Sequence, residues 1–116
     1  MIFGTPMLVT AGEHFKLESN AKIMINESGN DGKDTFCSDF TLSINQVAEY
    51  FKKSKIVDSH NFYHRFDYLS CYVRGVLIDS HGKHKWEIRA GGTCKLIDNQ
   101  GNVLLLGCDE CEDGFK

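Results

Sequence analysis

Apolar and polar residues alternate through the second half of the chain in four short runs. The runs cover about 71–79, 84–90, 94–98 and 103–108. The breaks between them are Ser80-His81-Gly82-Lys83, Gly91-Gly92-Thr93 and Asn99-Gln100-Gly101. Alternation with period two marks strands that bury one face, and short breaks containing glycine mark hairpins. The second run is the clearest: Trp86, Ile88 and Ala90 fall on one side, Lys85, Glu87 and Arg89 on the other. The pattern predicts an antiparallel β-meander.

Register follows from keeping one face apolar, because a slip of one residue exchanges the two faces. A two-residue turn at His81-Gly82 sets Trp86 opposite Leu77 and Ala90 opposite Val73. A three-residue loop with Gly101 in the left-handed conformation sets Leu96 opposite Leu104. A three-residue turn at Gly91-Gly92-Thr93 sets Ile88 opposite Leu96. One face then carries Cys71, Val73, Leu77, Trp86, Ile88, Ala90, Cys94, Leu96, Leu104, Leu106 and Cys108.

The pattern changes to helical spacing at residue 43. Ser43 is an N-cap with Gln46 three residues on, a capping box, and Leu42 and Val47 occupy the two positions of a hydrophobic staple. Ile44, Val47, Ala48 and Phe51 form one apolar face over 43–55. Lys52, Lys53 and Lys55 crowd the last turn, where cations complement the macrodipole; an anion site there is the weaker reading. Phe15-Lys16-Leu17 and Ala21–Ile25 read as short strands, 28–35 as a loop by its turn chemistry, and the aromatic stretch 58–69 as a loop or short strand. The fold class expected is α+β in a single domain, residues 1–116. One main helix packs on an antiparallel β-meander of four or more strands.

Composition narrows the function classes. The chain has 116 residues, 25% charged and 41% hydrophobic, with net charge −3. That suits one globular domain. No basic stripe favours nucleic acid, and no apolar run is long enough to span a bilayer. Val9-Thr10-Ala11 has the small-residue spacing of a signal-peptidase site, but no basic region precedes it. Residues 1–11 therefore read as an N-terminal strand or as the remnant of a signal peptide.

Five cysteines carry the sharpest chemistry: Cys37, Cys71, Cys94, Cys108 and Cys111. The register gathers Cys71, Cys94 and Cys108 at one end of the sheet. Cys71 and Cys94 lie two strands apart, roughly 10 Å, too far for a bridge. Bridges that tie Cys37 or Cys111 to the sheet are favoured, with connectivity open; a bridge closing a loop of some tens of residues is worth roughly 3–4 kcal/mol. Cys108-x-x-Cys111 has zinc-knuckle spacing, and Cys94, His81 and His84 are further potential ligands. A structural zinc site normally shows two such pairs, and the register puts His81 and His84 at the opposite end of their strand. A redox pair is weaker still, because it follows a strand and holds Asp109 and Glu110 between its thiols.

No other chemistry assembles from spacing. His60, His64, His81 and His84 are scattered bases, and Cys71 lacks a nucleophile motif. Gly75, Gly91 and Gly92 precede no helix and make no phosphate loop. The acidic tail Asp109, Glu110, Glu112 and Asp113 lacks calcium-loop spacing. No catalytic residue, metal ligand or cofactor is assigned.

Residues 43–111 resemble a group of small bacterial proteins of uncharacterised function. The shared features are a helix, Ser70-Cys71 opening a strand, Trp86-Glu87-Ile88, a glycine turn and a last strand ending in Cys108. The resemblance implies an exported or envelope protein and carries over no catalytic residue. The expectation is a non-enzymatic, periplasmic or otherwise extracytoplasmic domain that binds another protein. An immunity or inhibitor protein against a toxin or cell-wall hydrolase is the concrete version. Phe62, Tyr63, His64, Arg65 and Phe66 are the expected contact surface, since Tyr and Arg are frequent interface anchors. The alternative is a thiol-redox or zinc protein centred on Cys108 and Cys111.

Overall fold

A computed structural model of the chain describes residues 11–30, 32, 40–64, 66 and 69–111. Most of the N-terminal segment read as a strand or signal remnant, along with Cys37 and Arg65, lies outside them. The architecture is α+β: one six-stranded antiparallel sheet with two short helices. In chain order the elements are β1 (Lys22–Asn30), α1 (Ile44–Lys53), β2 (Lys55–Ile56), α2 (Ser59–His64), β3 (Cys71–Asp79), β4 (Gly82–Arg89), β5 (Thr93–Ile97) and β6 (Val103–Gly107). The four predicted runs are β3 to β6. The sheet order β1-β3-β4-β5-β6-β2 adds a long strand at one edge and a two-residue strand at the other, so the meander is the middle of a larger sheet.

The helix is capped as its sequence demands. The Ser43 hydroxyl accepts from the Gln46 amide at 3.1 Å, and the Gln46 side chain accepts from the Ser43 amide at 2.8 Å. Leu42 and Val47 are both buried, as a hydrophobic staple requires. The buried face of α1 is Val47, Tyr50 and Phe51, while Ile44 points outward and is exposed. Phe51 meets Trp86 edge to face at 6.1 Å and Phe15 at 5.5 Å. This face of α1 seals one side of the sheet, the inner face. The core there is Val73, Leu77, Trp86, Ile88, Cys94, Leu96, Leu106 and Cys108, and Leu104 is partly buried against it.

The predicted face is correct, but two of the three registers shift by two residues. Trp86 pairs with Gly75, and Ile88 with Val73, not Trp86 with Leu77. Ile88 pairs with Cys94 and Trp86 with Leu96 across the next hairpin. In both hairpins the turn begins one residue earlier than expected. At the first, Ser80 and His81 form the turn, and Gly82 follows at φ 115° as the first residue of β4. At the second, the Arg89 carbonyl accepts from the Gly92 amide at 3.1 Å, which closes the turn before Thr93. A shift of two keeps every side chain on its face. The Gly101 hairpin has the expected register, Leu96 opposite Leu104, with Gly101 at φ 87°. Gly75 lies where Trp86 crosses the sheet; a side chain there would collide with the Met24 carbonyl and the indole.

Three local readings need correction. Residues 28–30, expected to be loop, complete β1, which carries an irregularity between Ile25 and Glu27. Phe15–Leu17 is not a named strand; the preceding His14 bridges to Lys55, and the Phe15 amide donates to the Ser54 carbonyl at 3.0 Å. The aromatic stretch contains α2, not a strand. Asp58 caps it: its carboxylate accepts from the Asn61 amide at 2.8 Å, and its carbonyl from the Phe62 amide at 2.9 Å.

Candidate functional site

The two ends of the sheet collect different chemistry. At the first end, β3 starts with Cys71, β5 places Cys94 opposite Leu106, and β6 runs into Cys108. Cys108 and Cys111 form a disulfide with Cα atoms 5.5 Å apart, within the normal range for a bridge. Cys71 is also disulfide-bonded. Cys94 is a free, buried thiol whose pKa is pushed far up by burial, so it stays protonated and acts as a small hydrophobe. The Tyr50 hydroxyl reaches into this end and donates to the Gly92 carbonyl at 2.7 Å. Burial first, and the Cys94 sulfur second, push the Tyr50 pKa well up. The disulfide does draw Cys111 back onto the sheet, but its loop is far shorter than tens of residues: the sequence separation is 3.

At the opposite end, the turn between β3 and β4 meets the segment that leads into β1. The Ser80 hydroxyl and amide both donate to the Glu18 carboxylate, at 2.6 and 3.0 Å, across a sequence separation of 62. These bonds hold the Glu18 pKa below its ordinary value. Asp79 Oδ1 accepts from the His81 amide at 2.9 Å and lies 3.0 Å from His84 Nε2. His81 Nδ1 lies 3.3 Å from Glu18 Oε2 and 3.9 Å from Asp79 Oδ1. Glu18, Asp79 and His81 thus bring one donor atom each within 4.8 Å of one another. The adjacent turn between β5 and β6 is closed by Asp98, whose carboxylate accepts from the Asn102 and Gln100 amides, each at 2.9 Å. These bonds, those from Asn102 foremost, lower its pKa.

Ser80, His81 and Glu18 supply the residue types of a hydrolytic triad but not its geometry. The serine donates directly to the carboxylate, and His81 presents the same nitrogen, Nδ1, to both groups. A triad needs the two imidazole nitrogens to face different partners.

The expected contact residues divide. Phe62 is buried and lies under Lys95, whose ammonium sits 5.9 Å from the ring centroid. Phe66 packs against Gly107. Tyr63 and His64 are exposed, and Arg65 lies outside the described residues. His60 and His64 stack at 4.6 Å on the exposed side of α2. Thus α2 and Phe66 cover one corner of the outer sheet face, the face opposite α1. Across the middle of that face runs a cross-strand row of alternating charge: Glu27, Arg74, Glu87 and Lys95. Arg74 Nε donates to Glu87 at 2.8 Å, which raises the Arg74 pKa. Buried Arg89 donates to the second Glu87 oxygen at 3.0 Å and to the Leu69 and Ser70 carbonyls. Beyond that row, Met24, Val76, Lys85, Ile97 and Val103 lie side by side, with Met24 and Val103 more than half exposed.

A depression of about 180 Å³ lies near Lys55, Asn61 and Phe66. It is smaller than the roughly 300–1,000 Å³ of typical small-molecule sites.

Sequence reasoning placed His81 and His84 away from the cysteines but did not bring Glu18 or Asp79 to them. Glu18 lies 62 residues from Ser80 and had no local signal. Asp79 did have one: Asp at the first and Gly at the fourth position of Asp79-Ser80-His81-Gly82 marks a type I turn. No family model, curated protein or solved structure matches this chain. No helix among the described residues is long and apolar enough to cross a membrane.

Proposed function

We infer that this chain is a non-catalytic domain that works by binding another protein outside the cytoplasm. The observation that carries this reading is the outer sheet face. There a cross-strand row, Met24, Val76, Lys85, Ile97 and Val103, with exposed Met24 and Val103 at its two ends, borders a charge row in which Arg74 already pairs with Glu27 and Glu87. Apolar residues grouped on an otherwise polar surface mark interaction sites, and the neighbouring charges favour one orientation of the partner. Tyr63 extends the surface from α2 and supplies an aromatic anchor. Phe62 and Phe66 support that surface from beneath instead of forming it.

Disulfides persist in oxidising compartments, so the Cys108–Cys111 bridge supports the extracytoplasmic setting. The sequence resemblance to small bacterial envelope proteins points the same way, and an immunity or inhibitor role against a toxin or cell-wall hydrolase is its concrete form. The alternative, a thiol-redox or zinc centre at the same pair, has less support: both residues are buried and their sulfurs are joined to each other.

Affinity capture from the native host tests the reading with three baits. The wild type should retain a partner that Met24→Asp and Val103→Asp each lose while remaining folded by circular dichroism. Equal capture by all three would remove the outer face from consideration.

A further inference from the structure

We propose that Glu18, Asp79 and His81 form a binding site for a divalent cation of intermediate softness, zinc or a close relative. The donors are mixed: one imidazole nitrogen and two carboxylate oxygens. That set suits zinc, manganese or cobalt better than it suits calcium, which takes oxygen alone. Spacing is the second argument. Metal–ligand bonds of about 2.0–2.1 Å in a tetrahedron put the ligand atoms roughly 3.3–3.4 Å apart. His81 Nδ1 is 3.3 Å from Glu18 Oε2 and 3.9 Å from Asp79 Oδ1, and all three atoms lie within 4.8 Å. His81 is the exposed member, Glu18 is partly buried and the Asp79 side chain is nearly buried, and water completes the coordination.

The surrounding bonds are the kind that orient metal ligands. Ser80 holds Glu18 through its amide and its hydroxyl, and His84 Nε2 sits 3.0 Å from Asp79 Oδ1. Such outer hydrogen bonds fix ligand direction and raise affinity. The cysteine pair, the site suggested by motif spacing, contributes nothing here, because its sulfurs are joined to each other at the far end of the sheet. Bound metal would pin the segment before β1 to the β3–β4 turn, a cross-link spanning 62 positions. It would therefore raise thermal stability with the logarithm of metal concentration once that exceeds the dissociation constant.

The test is a zinc titration of the full chain against a chromophoric chelator, repeated on variants. One zinc per chain is expected at neutral pH. Glu18→Gln and His81→Gln should each weaken binding by about tenfold or more, and His84→Gln, acting through Asp79, by about tenfold. The double variant His60→Gln/His64→Gln, at the stacked histidines of α2, should bind as the wild type does. His81 is largely exposed, so its replacement leaves the fold intact. The proposal fails if wild type binds no zinc, or if Glu18→Gln and His81→Gln bind unchanged. Loss of binding in the α2 variant would also overturn it.

Discussion

The two ends of the sheet are closed by opposite means. At one, Cys71, Cys94, Cys108 and Cys111 are buried, and the Tyr50 hydroxyl donates to the Gly92 carbonyl. Sulfur chemistry and apolar packing hold that end. At the other, Glu18, Asp79, His81 and Asp98 close their turns through hydrogen bonds that water can reach. The dry end derives its strength from what it excludes, and its sulfurs are buried. The wet end is held by polar contacts instead, with His81 largely exposed. The buried sulfurs and the polar cluster thus sit at opposite ends of the strands.

If the contrast is real, the largest effect comes from the dry end. Tyr50→Ala, which empties a fully buried site, should cost about 3–5 kcal/mol in denaturant unfolding. A change below 1 kcal/mol would mean that α1 does not seal this end. Removing the bridge by Cys108→Ser/Cys111→Ser should cost less, about 2 kcal/mol, because the closed loop is short. Cys94 gives a kinetic measure of the same property. Its buried, protonated thiol should react with an alkylating reagent only as fast as the domain opens, and rapid native labelling would show that the end is not dry.

Acid should act at the wet end first. Glu18 and Asp98 have folded pKa values below their ordinary ones. Their stabilisation is therefore fully present above the usual carboxylate range and is lost as pH falls through the lowered values. Amide exchange around Ser80 and Gln100 should accelerate on acidification before that of Ile88 and Leu106. Glu18→Gln should abolish this acid dependence near Ser80, with the smallest change in neutral stability of the series. The reverse order of exchange would invert the comparison.

Much of this contrast is written in local sequence. The Ser43–Gln46 capping box, the alternation around Trp86 and the left-handed Gly101 are interactions between near neighbours, and each is found where the sequence puts it. The register shift of two residues was harder to read, because period-two alternation identifies a face but not its partner. The hairpin turn decides the pairing, and the turn at Asp79–Gly82 admits two readings of which residues are central. The cap at Asp58 was hidden by the mixed aromatic and polar residues of 58–69, which show no helical period over a helix this short. The wet cluster was invisible because Glu18 joins it only after β1 has paired with β3.

One feature of β1 has a bearing on how copies of the protein meet. Among the described residues, this nine-residue strand forms an edge of the sheet and pairs on one side only, with β3. A straight strand of that length exposes a row of backbone donors and acceptors, a template for stacking chain upon chain. The irregularity between Ile25 and Glu27 interrupts the row and twists the edge near its midpoint. Asn26, the extra residue, divides what would be a continuous seam into two shorter segments, residues 22–25 and 27–30.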